Sequence, residues 1–416
     1  MVLFEISWVK ISIQSSRRQG ASIMNAKKLE GIQKLLNEMV DTSYVAGVNC
    51  MMLHKGKEIG YYEAGYSDLK TKKPLTRDTI FLLYSMSKPI TAAAAMLLLE
   101  QGKFDLLDPV EKYIPSFKGQ MVGTQNGLVP CEKPVTIKDL LCMTAGITYG
   151  NDFNRNGIEV NAVFEEIKEK LLSDECMTTR AFADRIGQIP LAFQPGSKWE
   201  YGACADVLGA VIEVIANQPL SEFIEENLLN PLEMKDTGFY VPEEKQNRLS
   251  KVYEETDKGL VQYNGNHLGI LIDMNRKPRF ESGGAGLVST IDDYSHFATM
   301  LLNKGEYKGR NILSPSTVKF MTTSELLPKL NQDVATWDGL KGHTYSNLLR
   351  IMNAPELAVF CGSKGEYGWD GWLGPYFAND PAHDLTFIMM QQKINTGTTP
   401  YTRKLRNVVA SAIEEL

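Results

Sequence analysis

The chain has 416 residues, 43% of them hydrophobic, and 44 basic against 50 acidic side chains give a formal net charge of −6. That is enough apolar material for a large core, and more chain than one simple domain needs. Mild acidity without runs of like charge leaves no footprint for nucleic acid or an anionic membrane, and no apolar run approaches the roughly 20 residues that span a bilayer.

Residues 1–23 are expected to be a leader or upstream extension without fixed structure. The apolar start, Met1 to Val9, carries Glu5, and its positive charges (Lys10, Arg17, Arg18) follow the apolar stretch, the reverse of a secretory signal. Leu29, Ile32, Leu35, Leu36 and Met39 then recur at helical spacing, which predicts a helix over 26–40. Val45 to His54 reads as a strand, Lys55-Gly56 as a turn and Glu58 to Gly65 as the returning strand. A short apolar run ends at Ser85, and an alanine-rich helix follows to about Gln101. Pro89 fits its first turn, where the missing N–H removes no hydrogen bond. After a loop-rich crossing at 104–117, Thr136 to Met143 reads as a helix with Thr136 as N-cap and Asp139 at the capping-box position.

Helices are expected at about 160–172, 178–187, 203–217 and 220–228, with Gln194-Pro195-Gly196-Ser197 turning into Trp199-Glu200-Tyr201. Residues 236–281 read as irregular with two short strands. Ser282 to Gly286 is a backbone-permissive loop before a helix at 290–303. Leu357 to Cys361, Tyr367 to Asn379 and Leu385 to Gln392 read as strands, and 401–415 as a closing helix. The pattern is α+β. Residues 26–105 with 285–416 are expected to form an α/β lobe, in which the late strands join the first hairpin in an antiparallel sheet flanked by helices. Residues 106–284 are expected to form a mostly helical lobe, with a cleft between the two. Six scattered cysteines without a close pair exclude a C-x-x-C motif and point to free thiols in a reducing compartment, so the protein is read as cytoplasmic.

Ser-x-x-Lys occurs four times, at Ser7/Lys10, Ser67/Lys70, Ser85/Lys88 and Ser316/Lys319. Only Ser85/Lys88 joins an apolar approach, a helix start and an apolar helix that would bury the pair. A serine hydroxyl is a poor nucleophile until a base takes its proton. Lys88, on the same helix face, can be that base if burial and the helix N-terminus keep it neutral. The five histidines, at 54, 267, 296, 343 and 383, sit in a strand, a loop, a helix and two turns. Only His383-Asp384 tempts as a pair, and no Gly-x-Ser-x-Gly elbow accompanies it. No metal-ligand spacing appears, so neither metal nor cofactor is expected.

Five blocks carry a family resemblance: Tyr84-Ser85-Met86-Ser87-Lys88-Pro89, Thr136 to Gly146, Phe193 to Tyr201, Leu229 to Gly238, and Gly283 to Leu287. In this order the chain resembles the serine β-lactamase and penicillin-binding-protein superfamily, and within it the class C-like family VIII carboxylesterases. The resemblance implies a β-lactamase/transpeptidase-like fold and acyl-enzyme chemistry with Ser85 as nucleophile and Lys88 and Tyr201 handling protons. Two literal Tyr-x-Asn copies, at Tyr149 and Tyr345, are set aside as catalytic tyrosines, Tyr149 being kept as a pocket residue. The third motif is taken as Trp369-Asp370-Gly371, lining the pocket, and a second Trp-Asp-Gly at 337–339 is discounted as a turn. The backbone N–H groups of Ser85 and Trp372 are expected to form the oxyanion hole.

Two departures set the expected substrate. Ala203 stands where β-lactamases place an asparagine, and Trp369 where they place a lysine. Both remove polar contacts to a β-lactam, and Asp370 adds an acid unfavourable to anions. The expected partner is a small carboxylic ester. A β-lactamase, a D-amino-acid peptidase or an acyltransferase would use the same Ser-Lys-Tyr machinery, and a sensor that acylates without turnover is a third class. Nothing in the sequence sets the oligomeric state.

Overall fold

The computed structural model describes residues 22–415. Its centre is an eight-stranded antiparallel sheet drawn from two distant stretches of chain. The first stretch supplies β1 (Gly47–His54), β2 (Lys57–Asp68) and β3 (Lys73–Pro74). The second supplies β4 (His343–Ser346), β5 (Leu349–Met352), β6 (Tyr367–Asp370), β7 (Tyr376–Asp380) and β8 (Leu385–Gln391). The order is β4-β5-β6-β7-β8-β1-β2-β3. β8 and β1 pair from Leu385↔His54 to Gln391↔Val48, which stitches the two stretches together.

Both faces of the sheet are covered. On one, Val48, Cys50, Met52, Phe387 and Met389 pack with α1 (Ala26–Asp41) and α8 (Pro400–Ser411). On the other, Met51, Phe377, Ile388 and Met390 pack with α2 (Ser87–Glu100) and α7 (Ile291–Leu302). Burial on both faces explains why β1 and β8 read as nearly unbroken apolar runs instead of alternating ones. The apolar cluster on the α2 side continues into α3 (Ile137–Cys142), α4 (Arg155–Lys170), α5 (Thr179–Gly187) and α6 (Cys204–Ala216). α2 lies in the middle of it, buried from Ser87 to Met96. A helix apolar on all sides belongs in a core, and its run from Ala92 to Ala95 permits close approach from several directions. Among the described residues no single helix is long and apolar enough to cross a membrane.

The N-cap and capping box expected at Thr136 and Asp139 form, but several element bounds differ from expectation. Residues 1–21 of the supposed extension lie outside the described residues, while Ser22–Met24 pairs with Ile413–Glu415, so the closing helix stops at Ser411. Leu357 to Cys361 is not a strand: Pro355–Leu357 makes one 3₁₀ turn, and Leu357 and Val359 face solvent. The run Tyr367 to Asn379 is two strands, divided where Gly371 N donates to Pro375 O (2.8 Å) and Gly374 takes φ +91°. β4 and β5 escaped notice because their buried side chains include polar ones: His343, Thr344, Ser346 and Arg350. His343 accordingly sits in a strand, not a turn. The hairpin Met121–Thr124/Gly127–Pro130 was also unexpected, and α4 begins at Arg155, earlier than its apolar periodicity suggested.

Candidate active site

Backbone geometry delivers Ser85 to its position. The short strand Phe81–Leu82 pairs with Val288–Ser289, and Leu83 N donates to Leu287 O (2.9 Å). Tyr84 then takes φ +45°, a left-handed conformation that costs a tyrosine roughly 1–3 kcal/mol. Its burial against Trp372 and His267 holds it there. A single 3₁₀ turn, Tyr84–Met86, leads into α2, and Tyr294 Oη locks it by donating to Met86 O (3.0 Å).

Lys88, fully buried, reaches three oxygens: Ser85 Oγ at 3.1 Å, Tyr149 Oη at 2.9 Å and Gly284 O at 2.8 Å. Burial lowers its pKa to about 7, against the pull of the Asp206 charge, which favours the ammonium. The Asp206 carboxylate is itself buried and accepts from Ser282 Oγ and from Gly284 N (3.0 Å). A Cβ at position 284 would lie 2.7 Å from Asp206 Oδ2 and 3.1 Å from Tyr149 Oη, so the loop approaches this closely only as glycine.

Tyr201 stands on the other side of Ser85. Its hydroxyl is hydrogen-bonded to Ser85 and accepts from Trp369 Nε1 (3.0 Å), while Lys88 Nζ lies 4.7 Å from its ring centroid. Burial pushes the Tyr201 and Tyr149 phenols up, so both stay protonated near neutrality.

Trp369, Asp370, Gly371 and Trp372 line a cleft of about 300 Å³ together with Ser85 and Tyr201. A Cβ at Gly371 would come 2.2 Å from Leu83 O, so glycine is what lets the end of β6 run against the approach to Ser85. Half-buried Asp370 accepts from Thr398 Oγ1 at 2.6 Å. Burial pushes its carboxyl up, and the charge of Arg350 opposes that. The expected site residues Ser85, Lys88, Tyr201, Tyr149, Trp369, Asp370, Gly371 and Trp372 are therefore neighbours. Tyr149 is nearer the chemistry than a pocket wall, since its hydroxyl touches Lys88.

Three neighbours were not anticipated. Trp337, from the discounted Trp-Asp-Gly copy, lines the cleft with its ring centroid 5.2 Å from Tyr201. It lies outside any strand, at the start of a 3₁₀ turn, and only the literal repeat of the motif hinted at it. Tyr345 is buried with its ring 4.9 Å from Trp369 and 5.5 Å from Trp199, a support behind the cleft. Asp206 had one available signal, an acid in the first turn of α6, whose next residues to Ile212 are apolar.

The rival groups lie elsewhere. His383 contacts Asp380 (2.8 Å) and Ser363 (3.1 Å) at the β7–β8 turn and lines a separate cavity. Ser67 Oγ donates to Lys73 O and Pro74 O, and Ser316 pairs with Ser314, so neither meets its Ser-x-x-Lys lysine there; Ser7/Lys10 lies outside the described residues. Among the described residues no group of His, Cys, Asp or Glu could hold a metal ion.

The family model described as Beta-lactamase matches residues 32–410. An uncharacterized protein of Mycobacterium tuberculosis is 30% identical over 374 residues, covering 88% of this chain and 90% of its own length. Esterase EstB of Burkholderia gladioli is 31% identical over 381 residues, covering 85% and 88%. Among solved structures, EstCE1, a hydrolase with promiscuous acyltransferase activity, superposes with a TM-score of 0.79 at 25% identity, covering 92% of this chain and 99% of its own.

Proposed function

The chain belongs to the beta-lactamase family of serine hydrolases, and from that premise we propose that it cleaves small carboxylic esters through an acyl-enzyme on Ser85. The observation that carries this reading is the set of contacts around Lys88 Nζ. A neutral amine has two N–H groups and one lone pair. Gly284 O can only accept, and Tyr149 Oη is free to accept. With both N–H groups used on them, the lone pair is left facing the Ser85 hydroxyl. Ser85 Oγ can then attack the ester carbonyl as its proton passes to Lys88.

Tyr201 completes the proton path. Its phenol, hydrogen-bonded to Ser85, lies where the leaving alkoxide needs a proton, and Lys88 stands beside its ring to resupply it. The alcohol leaves and the acyl group stays on Ser85 Oγ. Water enters with Tyr201 and Lys88 as base, the acid is released and Ser85 regains its proton. The backbone N–H groups of Ser85 and Trp372 are assigned to the developing oxyanion. The ester preference rests on Ala203 and on Trp369, whose uncharged indole offers no cation to a β-lactam carboxylate and whose Nε1–H is already spent on Tyr201.

The test is hydrolysis of p-nitrophenyl acetate by the purified protein beside Ser85→Ala. The variant is expected to lose at least about a thousandfold in kcat/KM, and intact mass should show an acetyl adduct on the wild type alone. Undiminished turnover by Ser85→Ala would overturn the reading. A second reading is acyl transfer to an alcohol instead of water. It is favoured by the aromatic walls of the cleft, which suit an organic acceptor, and by the promiscuous acyltransferase activity of EstCE1.

A further inference from the structure

Resting on the ester-hydrolase reading, we propose that the cleft selects substrates carrying a fixed positive charge, a quaternary or alkylammonium group held between Asp370 and the indoles of Trp337 and Trp372. The cleft lining supplies the argument. It contains these two tryptophans, the buried Trp369 behind them and Tyr201, and Asp370 is its acidic member; no lysine or arginine is among the lining residues. An ammonium group is attracted to an aromatic face within about 6 Å of the ring centroid, and indole binds it best. A carboxylate beside such a face adds a Coulombic partner that a partly dry cleft leaves poorly screened.

The surroundings keep Asp370 facing its task. Thr398 Oγ1 donates to Asp370 Oδ2 at 2.6 Å and fixes the carboxylate. Position 397 is glycine, where a Cβ would sit 3.2 Å from the same oxygen. Arg350, whose charge bears on Asp370, does not line the cleft: its Nη2 donates to Phe377 O (2.9 Å) and its guanidinium lies 4.3 Å from the Tyr376 ring centroid. Trp337 is 44% exposed at the rim, so it can meet an entering cation before Asp370 does. In the neutral form that acts as base, Lys88 places no opposing charge at Ser85. The ammonium takes no part in bond making; the ester bond breaks at Ser85 as it would in a neutral substrate.

Two measurements test this together. The first compares kcat/KM for acetylcholine with that for 3,3-dimethylbutyl acetate, in which carbon replaces the nitrogen and only the charge is lost. The wild type should favour the cationic ester by about tenfold or more, and Asp370→Asn and Trp337→Leu should each shrink that ratio severalfold. The second follows tryptophan fluorescence as tetramethylammonium is titrated, with tert-butanol as the uncharged control and near-UV circular dichroism to verify folding of each variant. A saturable response to the cation, weakened in Asp370→Asn and absent with the alcohol, is expected. Ester hydrolysis with no cationic preference and no cation response would overturn this proposal and leave the hydrolase reading standing. Cation binding without hydrolysis of either ester would overturn the hydrolase reading and leave the cation site. Loss of both would end both.

Discussion

Lys88 Nζ stands 3.1 Å from Ser85 Oγ inside a pocket that leaves the lysine no exposed surface. Distance and burial act together here. An ammonium at that distance could only donate to the hydroxyl, whereas an amine can take its proton. Burial brings the pKa down to about 7, where both forms are populated.

The first prediction is a pH profile. Below about 7 the ammonium form accumulates and Ser85 loses its base, so kcat/KM should fall with acidity, approaching tenfold per unit. Above that value the profile should flatten until the phenols, which burial pushes up, begin to ionise. Rates for a neutral ester measured from pH 5.5 to 9 check this. A profile flat across pH 7 would remove Lys88 from the role of base.

The second prediction separates the two tyrosines. Tyr149 Oη accepts from Lys88 and so favours the ammonium. Tyr149→Phe should therefore move the acid limb of the profile to lower pH. Tyr201 instead faces Ser85, and Tyr201→Phe should lower kcat about 10²–10⁴-fold with the acid limb in place. If Tyr149→Phe cost the larger loss in kcat and left the limb unmoved, the two roles would have to be exchanged.

How much of this was legible follows from what each residue interacts with. Ser85 and Lys88 stand out because a local pattern places them, a helix start followed by an apolar run. Thr136 and Asp139 form their capping box within one turn for the same reason. Trp337 and Tyr345 carry no such local signal. Tyr345 backs the cleft, and Trp337 precedes it in chain, because β4 and β5 extend the sheet beyond β6, and those strands are hard to read when their buried positions hold Thr344, Ser346 and Arg350. Asp206 was hidden differently. Its burial is stabilised by Ser282 and Gly284, about eighty residues away in sequence, and no helix-scale pattern announces such partners. Elements set by short-range periodicity were readable, whereas of the groups positioned by distant chain Tyr201 and Trp369 to Trp372 were legible only through the family resemblance, and Trp337 and Asp206 were not.

The third prediction concerns β-lactams. Trp369 Nε1 donates to Tyr201, and the cleft lining contains no cationic side chain to hold a carboxylate, while Asp370 repels one. Turnover of a chromogenic cephalosporin should be at least about a hundredfold slower in kcat/KM than that of p-nitrophenyl acetate. Such a ratio corresponds to roughly 2.7 kcal/mol, the scale of one lost charge-assisted contact plus a like-charge penalty. The opposite ranking would mean that the backbone and Tyr201 alone bind the lactam, and would shift the substrate class.

The last prediction tests the joint between β6 and the nucleophile turn. A Cβ on Gly371 would come 2.2 Å from Leu83 O and 2.9 Å from Pro375 Cγ. Neither neighbour can yield easily. Leu83 is tied to Leu287 by its own N–H, and Pro375 O accepts from Gly371 N. Gly371→Ala must therefore push the end of β6 away from the turn that carries Ser85. Clashes of this kind cost about 2–4 kcal/mol, so the melting temperature should drop by several degrees. The displacement would also carry the Trp372 N–H away from its proposed place in the oxyanion hole, so kcat should fall more than KM rises. Gly102→Ala is the contrast for stability, because a Cβ there meets nothing within 4 Å and only the left-handed φ of +64° is strained. That variant should lose stability from the backbone alone, by about 1 kcal/mol, and keep its kcat. Equal losses of kcat in the two variants would mean that general destabilisation, and not the β6 contact, sets the effect.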